Sequence, residues 1–408
     1  MSTRGKIFVT RLLISVMIVY SIMPIVSRLI SSFLTTYFYL LLLLITVASI
    51  VFAKGLSSLN KYFSILLPFI LWKLLIFLVS RPSLIEWGYS SLNELAPILF
   101  GYIIVYRMNW KNQKFFSIIL IAALAVTAIT TTIGLQIYPD AARYLATVAS
   151  SDDPEFILLN MFNIGGYEFI YSIVLAYPLL IYAYKIKKIP RIVMILSALF
   201  MLFFVISAGY TTALLLFLIS SLFFFFNKNI SPRFVIVLLI CILLFAVIFF
   251  PLFSLLFKFL SDHISNEAIS ERLLVLANGR EGFEQTDDKR LDLYWMSISS
   301  FLKYPLFGSI FTKNVKTGGH SFLLDAIAHY GILGITLLVW MYRKMYRIFY
   351  RPYRKTVGYG YIFWMFLQAM ILSLVNTGMW IKVLCLYLPV LLILIRHEGE
   401  THESTLGR

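Results

Sequence analysis

Stretches of mostly apolar residues recur along this chain, each close to the roughly 20 residues that a helix needs to cross a hydrocarbon core. Backbone in lipid must satisfy its own hydrogen bonds, and a helix does so within one segment. The stretches fall at 7–26, 33–53, 62–80, 92–106, 115–137, 164–184, 191–208, 210–226, 233–257, 321–342, 357–375 and 379–395. They predict an all-α fold, a polytopic transmembrane helix bundle of about 12 spans with one large extracytoplasmic loop at 258–320, the whole of 1–408 forming one integral membrane domain. Apolar residues make up 60% of the 408 residues and charged residues 13%. One globular core of this length cannot bury so much apolar surface, so the surplus must face lipid.

Charge orients the bundle. Cytoplasmic loops carry an excess of Lys and Arg, and every second connection here is basic: Arg4 and Lys6; Lys54 and Lys61; Arg107, Lys111 and Lys114; Lys185, Lys187, Lys188 and Arg191; Lys228 and Arg233; Arg343 to Lys355; and the tail. Both termini are therefore expected in the cytoplasm. Arg4, Lys6 and Arg11 precede an apolar run as they would in a secretory leader, but no small-x-small cleavage site comes before Arg28, which predicts a retained first span. The net charge of +16 sits in short runs between spans. A nucleic-acid binder gathers such charge into a soluble patch with stacking aromatics, so no nucleic-acid partner is expected. Cys241 and Cys385 both lie inside spans, against a disulfide framework or a zinc site.

The long connection 258–320 breaks the alternation, since it would lie outside yet carries Lys258, Arg272, Arg280, Lys289, Arg290, Lys303, Lys313 and Lys316. Long loops translocate regardless of charge. Its basicity fits either a solvated loop near anionic headgroups or an anionic substrate. A second outside segment, 138–163, carries Asp140, Arg143, Asp152, Asp153 and Glu155 and reads as a helical surface piece. The chain has no glycine-rich phosphate loop, no G-x-G-x-x-G, no H-E-x-x-H and no C-x-x-C, which argues against an ATP-driven pump, a dehydrogenase and a zinc protease. It also lacks an Asp-x-Asp pair for a metal-held nucleotide sugar.

What remains is the region from Arg272 to Gly334. It contains Arg290-Leu-Asp-Leu-Tyr-Trp295, then Tyr304-Pro-Leu-Phe-Gly308, then Gly318-Gly-His320 leading into the tenth span. A histidine at the outer start of a membrane helix is partly dehydrated yet reachable from water, and it suits proton transfer near neutral pH. Arginines in the same loop can fork onto phosphate oxygens.

In their order, Arg290, Tyr294, Pro305, Gly308, His320, Leu323 or Leu324, Gly331 and Gly334 resemble the bacterial polysaccharide polymerase and O-antigen ligase superfamily. Its members carry an Arg-x3-aromatic segment, a Pro-aliphatic-aliphatic-Gly turn, and His-Asn-x2-Leu leading to Gly-x2-Gly after a large outer loop. Here Ser321 stands in place of the usual Asn, Ser309 and Ile310 follow Gly308 where a second Gly is common, and Gly209-Tyr210 replaces a frequent Ser-Arg. The resemblance implies a repeat-unit polymerase of the Wzy type in the bacterial cytoplasmic membrane. It would act at the outer face on undecaprenyl-pyrophosphate-linked saccharides, with a chain-length regulator and a flippase as partners beside membrane lipid. It implies His320 as general base and Arg290, Arg280 and Arg272 as pyrophosphate ligands, with no cofactor and no metal. Two alternatives are a ligase of the same superfamily and a lipid-linked oligosaccharide transporter without bond chemistry.

Other polar residues keep two readings. Asp325 and His329, four apart on one helical face, suit either a base with its orienting carboxylate or a buried polar pair that locks helices. Gly331 and Gly334, with Ala326 and Ala328, suit close helix packing. Lys73, Glu94, Glu168 and Lys382 fall within spans, where an ionisable group is costly. They either snorkel to the interface or line a cavity that receives a sugar headgroup.

Overall fold

The computed structural model describes residues 3–33, 60–147, 153–226, 229–263, 270, 273–274, 277–278, 290–310, 316–356 and 358–395. Among these residues all regular structure is helical, with no strand. Two compact units divide the chain. Unit 1 comprises Met1–Ala208, Leu337–Arg354 and Trp380–Arg408, and unit 2 comprises Gly209–Thr336 and Lys355–Met379.

Unit 1 begins with α1 (Thr3–Ile22), α2 (Pro24–Phe33), α3 (Asn60–Ser80), α4 (Leu84–Arg107), α5 (Trp110–Ile137), α6 (Ala141–Thr147), α7 (Pro154–Met161), α8 (Tyr167–Lys185) and α9 (Arg191–Ala208). Unit 2 holds α10 (Thr211–Leu222), α11 (Pro232–Ile248), α12 (Phe250–His263), α13 (Arg290–Lys303), the first half of α14 (Phe322–Met345) and α15 (Tyr359–Val375). The rest of α14 and an apolar helix α16 (Val383–Ile395) return to unit 1.

On α5, Phe116, Leu120, Leu124, Ala128 and Leu135 are buried at helical spacing, whereas Ile118, Ile121, Ile129 and Ile133 are exposed. A helix apolar on its outer face as well as its inner one suits lipid. The outer face of α9, with Ile192, Leu196, Leu199 and Phe203, repeats the pattern. By length and composition α5, α8, α9 and the run Phe322–Lys355 can cross a membrane, and the bent pair α1–α2 makes a fifth candidate. These correspond to the spans expected at 115–137, 164–184, 191–208, 321–342 and 7–26. Shorter apolar helices, Ser64–Ser80, Thr211–Phe225, Pro232–Phe245, Tyr359–Val375 and Val383–Ile395, occupy five more of the expected stretches. The stretch 92–106 lies within α4, which starts earlier because Ser83 and Glu86 form a capping box. The stretch 33–53 lies almost wholly outside the described residues.

Two departures from regular helix shape unit 1. The axis turns by 114° between Arg11–Ile22 and Pro24–Ile30. Pro24 has no N–H to continue the ladder, the Ser21 carbonyl instead accepts from the Tyr387 hydroxyl at 2.7 Å, and the Ile25 N–H donates to Asn163 Oδ1 at 3.4 Å. The first turns of α16, Val383–Tyr387, are wound as π-helix, and there the Leu384 carbonyl accepts from the Tyr350 hydroxyl at 2.8 Å. The segment 138–163, expected to be helical, contains α6 and α7.

Candidate functional site

In unit 2 the sequence motif folds into one interlocked structure. α14 does not run straight: Gly331 takes φ +60° and ψ −155°, so the helix breaks there. The broken turn is completed by the loop that follows α13. Ile332 N–H donates to the Pro305 carbonyl at 2.8 Å, and the His329 carbonyl, freed by the break, accepts from the Ser309 hydroxyl at 2.9 Å. Gly308, at φ +55°, lies so close to the backbone of Ala328 and His329 that no side chain fits. The Pro-x-x-Gly turn and Gly331 are therefore two halves of one contact. Gly331 serves a loop rather than the helix–helix packing the sequence suggested.

His320 stands exposed in the turn ahead of α14, one residue before the helix cap. Ser321 caps α14 by accepting the Leu324 N–H at 3.1 Å, while Asp325 Oδ2 accepts the Ser321 N–H at 3.2 Å. The other Asp325 oxygen accepts from the Ser297 hydroxyl on α13 at 2.6 Å, and the same hydroxyl accepts the Gly318 N–H at 3.0 Å. Ser297 thus ties the end of the long loop to α13 and α14, two residues before His320. Phe322 N–H donates to the Asn376 carbonyl at 2.9 Å, and the Tyr294 hydroxyl donates to the Val375 carbonyl at 2.9 Å, so α13 and α14 both grip the end of α15.

The carboxylate of Asp325 does not orient His329. That ring lies instead between the Ser309 hydroxyl, 3.3 Å from Nδ1, and the Thr317 hydroxyl, 3.2 Å from Nε2. Among the described residues the two side chains form no pair, so neither reading holds as drawn from their spacing: Asp325 joins α14 to α13 through Ser297, and His329 holds the connection between those helices through Ser309 and Thr317. Arg290 is the first residue of α13, and its side chain lies outside the described set. Arg272 and Arg280 lie outside the described residues. Among the described residues no group of three or more His, Cys, Asp or Glu side chains could hold a metal ion.

Unit 1 contains a separate polar cleft of about 440 Å³. Its walls come from the α1–α2 break (Tyr20 to Pro24), Asn93, Asn160, the first turns of α8 with Tyr167 and Glu168, and Lys382 and Tyr387. Glu168 Oε2 and Lys382 Nζ form an ion pair at 2.8 Å. The loop that delivers α8 is pinned to α5: Gly165 N–H donates to Thr131 Oγ1 at 2.7 Å, and Asn163, at φ +56°, donates to Thr130 Oγ1 at 2.9 Å. In the segment 138–163 the Tyr144 hydroxyl donates to Asp153 Oδ1 at 2.7 Å and joins α6 to the cap of α7. That hydroxyl, with the N–H groups of Phe156 and Glu155, holds the Asp153 carboxyl below its usual range, and the carboxylate pushes Tyr144 up to about 12. Deeper in unit 1, Lys73 is 4% exposed and meets Glu94 Oε1 at 2.6 Å. Lys73 is thus paired inside the protein rather than snorkelling. Sequence reasoning missed Ser297 and the Thr130–Thr131 clasp, because a hydroxyl mid-helix carries no pattern of its own, and it noted Ser309 only as a departure from a second Gly, without its bond to His329. The Ser83-x-x-Glu86 box was open to discovery.

No protein-family model matches the chain, and no curated protein matches it.

Proposed function

We propose that this chain lengthens a surface polysaccharide by joining oligosaccharide repeat units carried on undecaprenyl pyrophosphate. It does so at the outer face of a bacterial cytoplasmic membrane that it crosses about 12 times, with both termini inside. A hydroxyl of one lipid-linked unit attacks the anomeric carbon of the other chain. The bond from that carbon to the pyrophosphate oxygen breaks, the lipid pyrophosphate leaves, and His320 takes the hydroxyl proton as general base. Arg290, Arg280 and Arg272 hold the leaving pyrophosphate as its negative charge grows. The activated phosphate ester supplies the driving force.

The observation that carries this reading is the setting of His320. It is exposed ahead of a capped helix, on a loop end held by Ser297, and the helix it precedes is itself locked further along, where the Pro305–Gly308 turn fits the break at Gly331. A base on so firmly held a loop keeps its aim. The test is a His320→Ala strain whose surface polymer is separated on a gel while the membrane level of the protein is monitored. Loss of the ladder down to single repeats is expected, and an unchanged ladder with normal protein level refutes the role. Accumulation of long lipid-linked chains points instead to a ligase of the same superfamily.

A second reading has its own observation. A helix broken by 114° beside a polar cleft is a common device of carriers. Purified protein in vesicles with lipid-linked saccharide separates the two: movement without polymer favours the carrier.

A further inference from the structure

The unit 1 cleft is polar, open and unused by the chemistry above. Its volume of about 440 Å³ falls in the range of roughly 300–1,000 Å³ typical of small-ligand pockets. The charge balance at its wall decides what it can hold. Lys382 is neutralised by Glu168 at 2.8 Å, and Glu168 is half exposed, so an anion entering here meets a carboxylate and no free cation from this pair. An apolar ligand fares no better, since it would bury the Glu168 carboxylate against hydrocarbon. A neutral ligand rich in hydroxyl groups suits the walls. Glu168 accepts from hydroxyls, Asn93 and Asn160 both donate and accept, and the Tyr167 ring, which packs with Tyr171 and Trp380 at 4.8 and 5.9 Å between centroids, offers a rigid aromatic side. Asn93 has no side-chain hydrogen-bond partner among the described residues, although it lies on the cleft wall.

We infer that the cleft between the α1–α2 break and the start of α8 is a saccharide-binding subsite, with Glu168, Asn93, Asn160 and Tyr167 as its contacts. The choice of a saccharide among neutral polyols rests on the polymerase reading; the exclusion of an anion does not. The α1–α2 break, where the axis turns by 114°, puts Tyr20 to Pro24 on the wall of the cleft. The Tyr387 hydroxyl, by bonding the Ser21 carbonyl at 2.7 Å, keeps that corner fixed.

The experiment uses the full chain in lipid nanodiscs. Its probe is the set of phosphate-free oligosaccharides of one and two repeats, cut by partial hydrolysis from the producing strain's own surface polymer and observed by saturation-transfer NMR. Saturation transfer to the oligosaccharide is expected with the wild type, and binding at least tenfold weaker with Glu168→Gln. Because that change also breaks an ion pair, Asn93→Leu provides a second variant: it removes no hydrogen bond among the described residues and replaces an amide on the cleft wall with an apolar group that cannot bond a hydroxyl, and equal loss is expected. Unaltered binding in both variants, absence of transfer with the wild type, or displacement of the oligosaccharide by inorganic pyrophosphate overturns the inference. Polymer length in the His320→Ala strain reports separately on the polymerase reading. An unchanged ladder there, with binding lost in the cleft variants, removes the polymerase and leaves the saccharide subsite standing.

Discussion

The backbone of Gly331 rests against Leu306 so closely that a Cβ on residue 331 would come within 2.5 Å of the Leu306 carbonyl carbon and oxygen. Its φ of +60° with ψ of −155° belongs to a region that glycine alone occupies readily. Gly331→Ala is therefore expected to cost about 1–3 kcal/mol in backbone strain, and more once the Pro305–Gly308 turn is pushed off the break. Thermal denaturation of the detergent-solubilised protein, followed by fluorescence-detected gel filtration, checks it. Gly88→Ala, inside α4 where nothing lies within 4 Å of the added Cβ, is the control and should melt at or slightly above the wild type, since Ala favours a helix over Gly by about 0.5–1 kcal/mol. Equal melting of the two variants would show that the turn yields freely.

Ser297 joins three parts of unit 2 through one hydroxyl, which donates to Asp325 and accepts from Gly318. Ser297→Ala leaves a carboxylate oxygen and a loop N–H without this partner, at a cost of about 1–3 kcal/mol for each group that stays dry. The loop end two residues before His320 then loses its tether to α13. Shortened polymer with normal protein level in the membrane is the expected outcome, although Ser297 touches neither saccharide nor pyrophosphate in the proposed reaction. If chain length were normal and only the melting temperature fell, Ser297 would be structural and the aim of His320 would not depend on it.

Much of the helical layout was legible because a membrane imposes a length on apolar runs. The stretches 115–137 and 191–208 match α5 and α9 to within a few residues, and each closes on a turn signal, Tyr138-Pro139 and Gly209. Polar detail was less legible. Residues 84–91 of α4 carry Glu86, Ser90 and Ser91, so hydropathy alone started that helix too late, although the Ser83–Glu86 box marks its true beginning. Pro24 inside the first stretch announces a break, but its angle depends on Asn163 and Tyr387, which are distant in sequence. In the motif region, residue order picked out Pro305, Gly308 and Gly331 without revealing that they touch. The four-residue spacing of Asp325 and His329 pointed to a pair, yet the helix cap at Ser321 claimed the carboxylate first. A cap satisfies an N–H that helix formation otherwise strands, and no spacing rule on one face of a helix takes account of it.

Lys73 and Glu94 give the sharpest test of how a charge survives among apolar helices. Lys73 Nζ lies 2.6 Å from Glu94 Oε1 and 3.3 Å from the Ser90 hydroxyl, and the Lys73 carbonyl accepts from Trp87 Nε1 at 2.8 Å, so α3 and the start of α4 are joined by a compact polar cluster. Removing Glu94 strands the buried Lys73 ammonium, which typically costs about 3–5 kcal/mol; removing Lys73 costs less, because the Glu94 side chain is 30% exposed and can hydrate, and replacing both with apolar groups of similar shape is often neutral. Lys73→Met and Glu94→Leu should each lower the melting temperature and the yield of monodisperse protein, and the double variant should recover most of the loss. The cycle is read from melting curves of the four proteins in one detergent. Additive losses in the double variant would mean that the two side chains act independently, and would reassign Lys73 to a role with some partner other than Glu94.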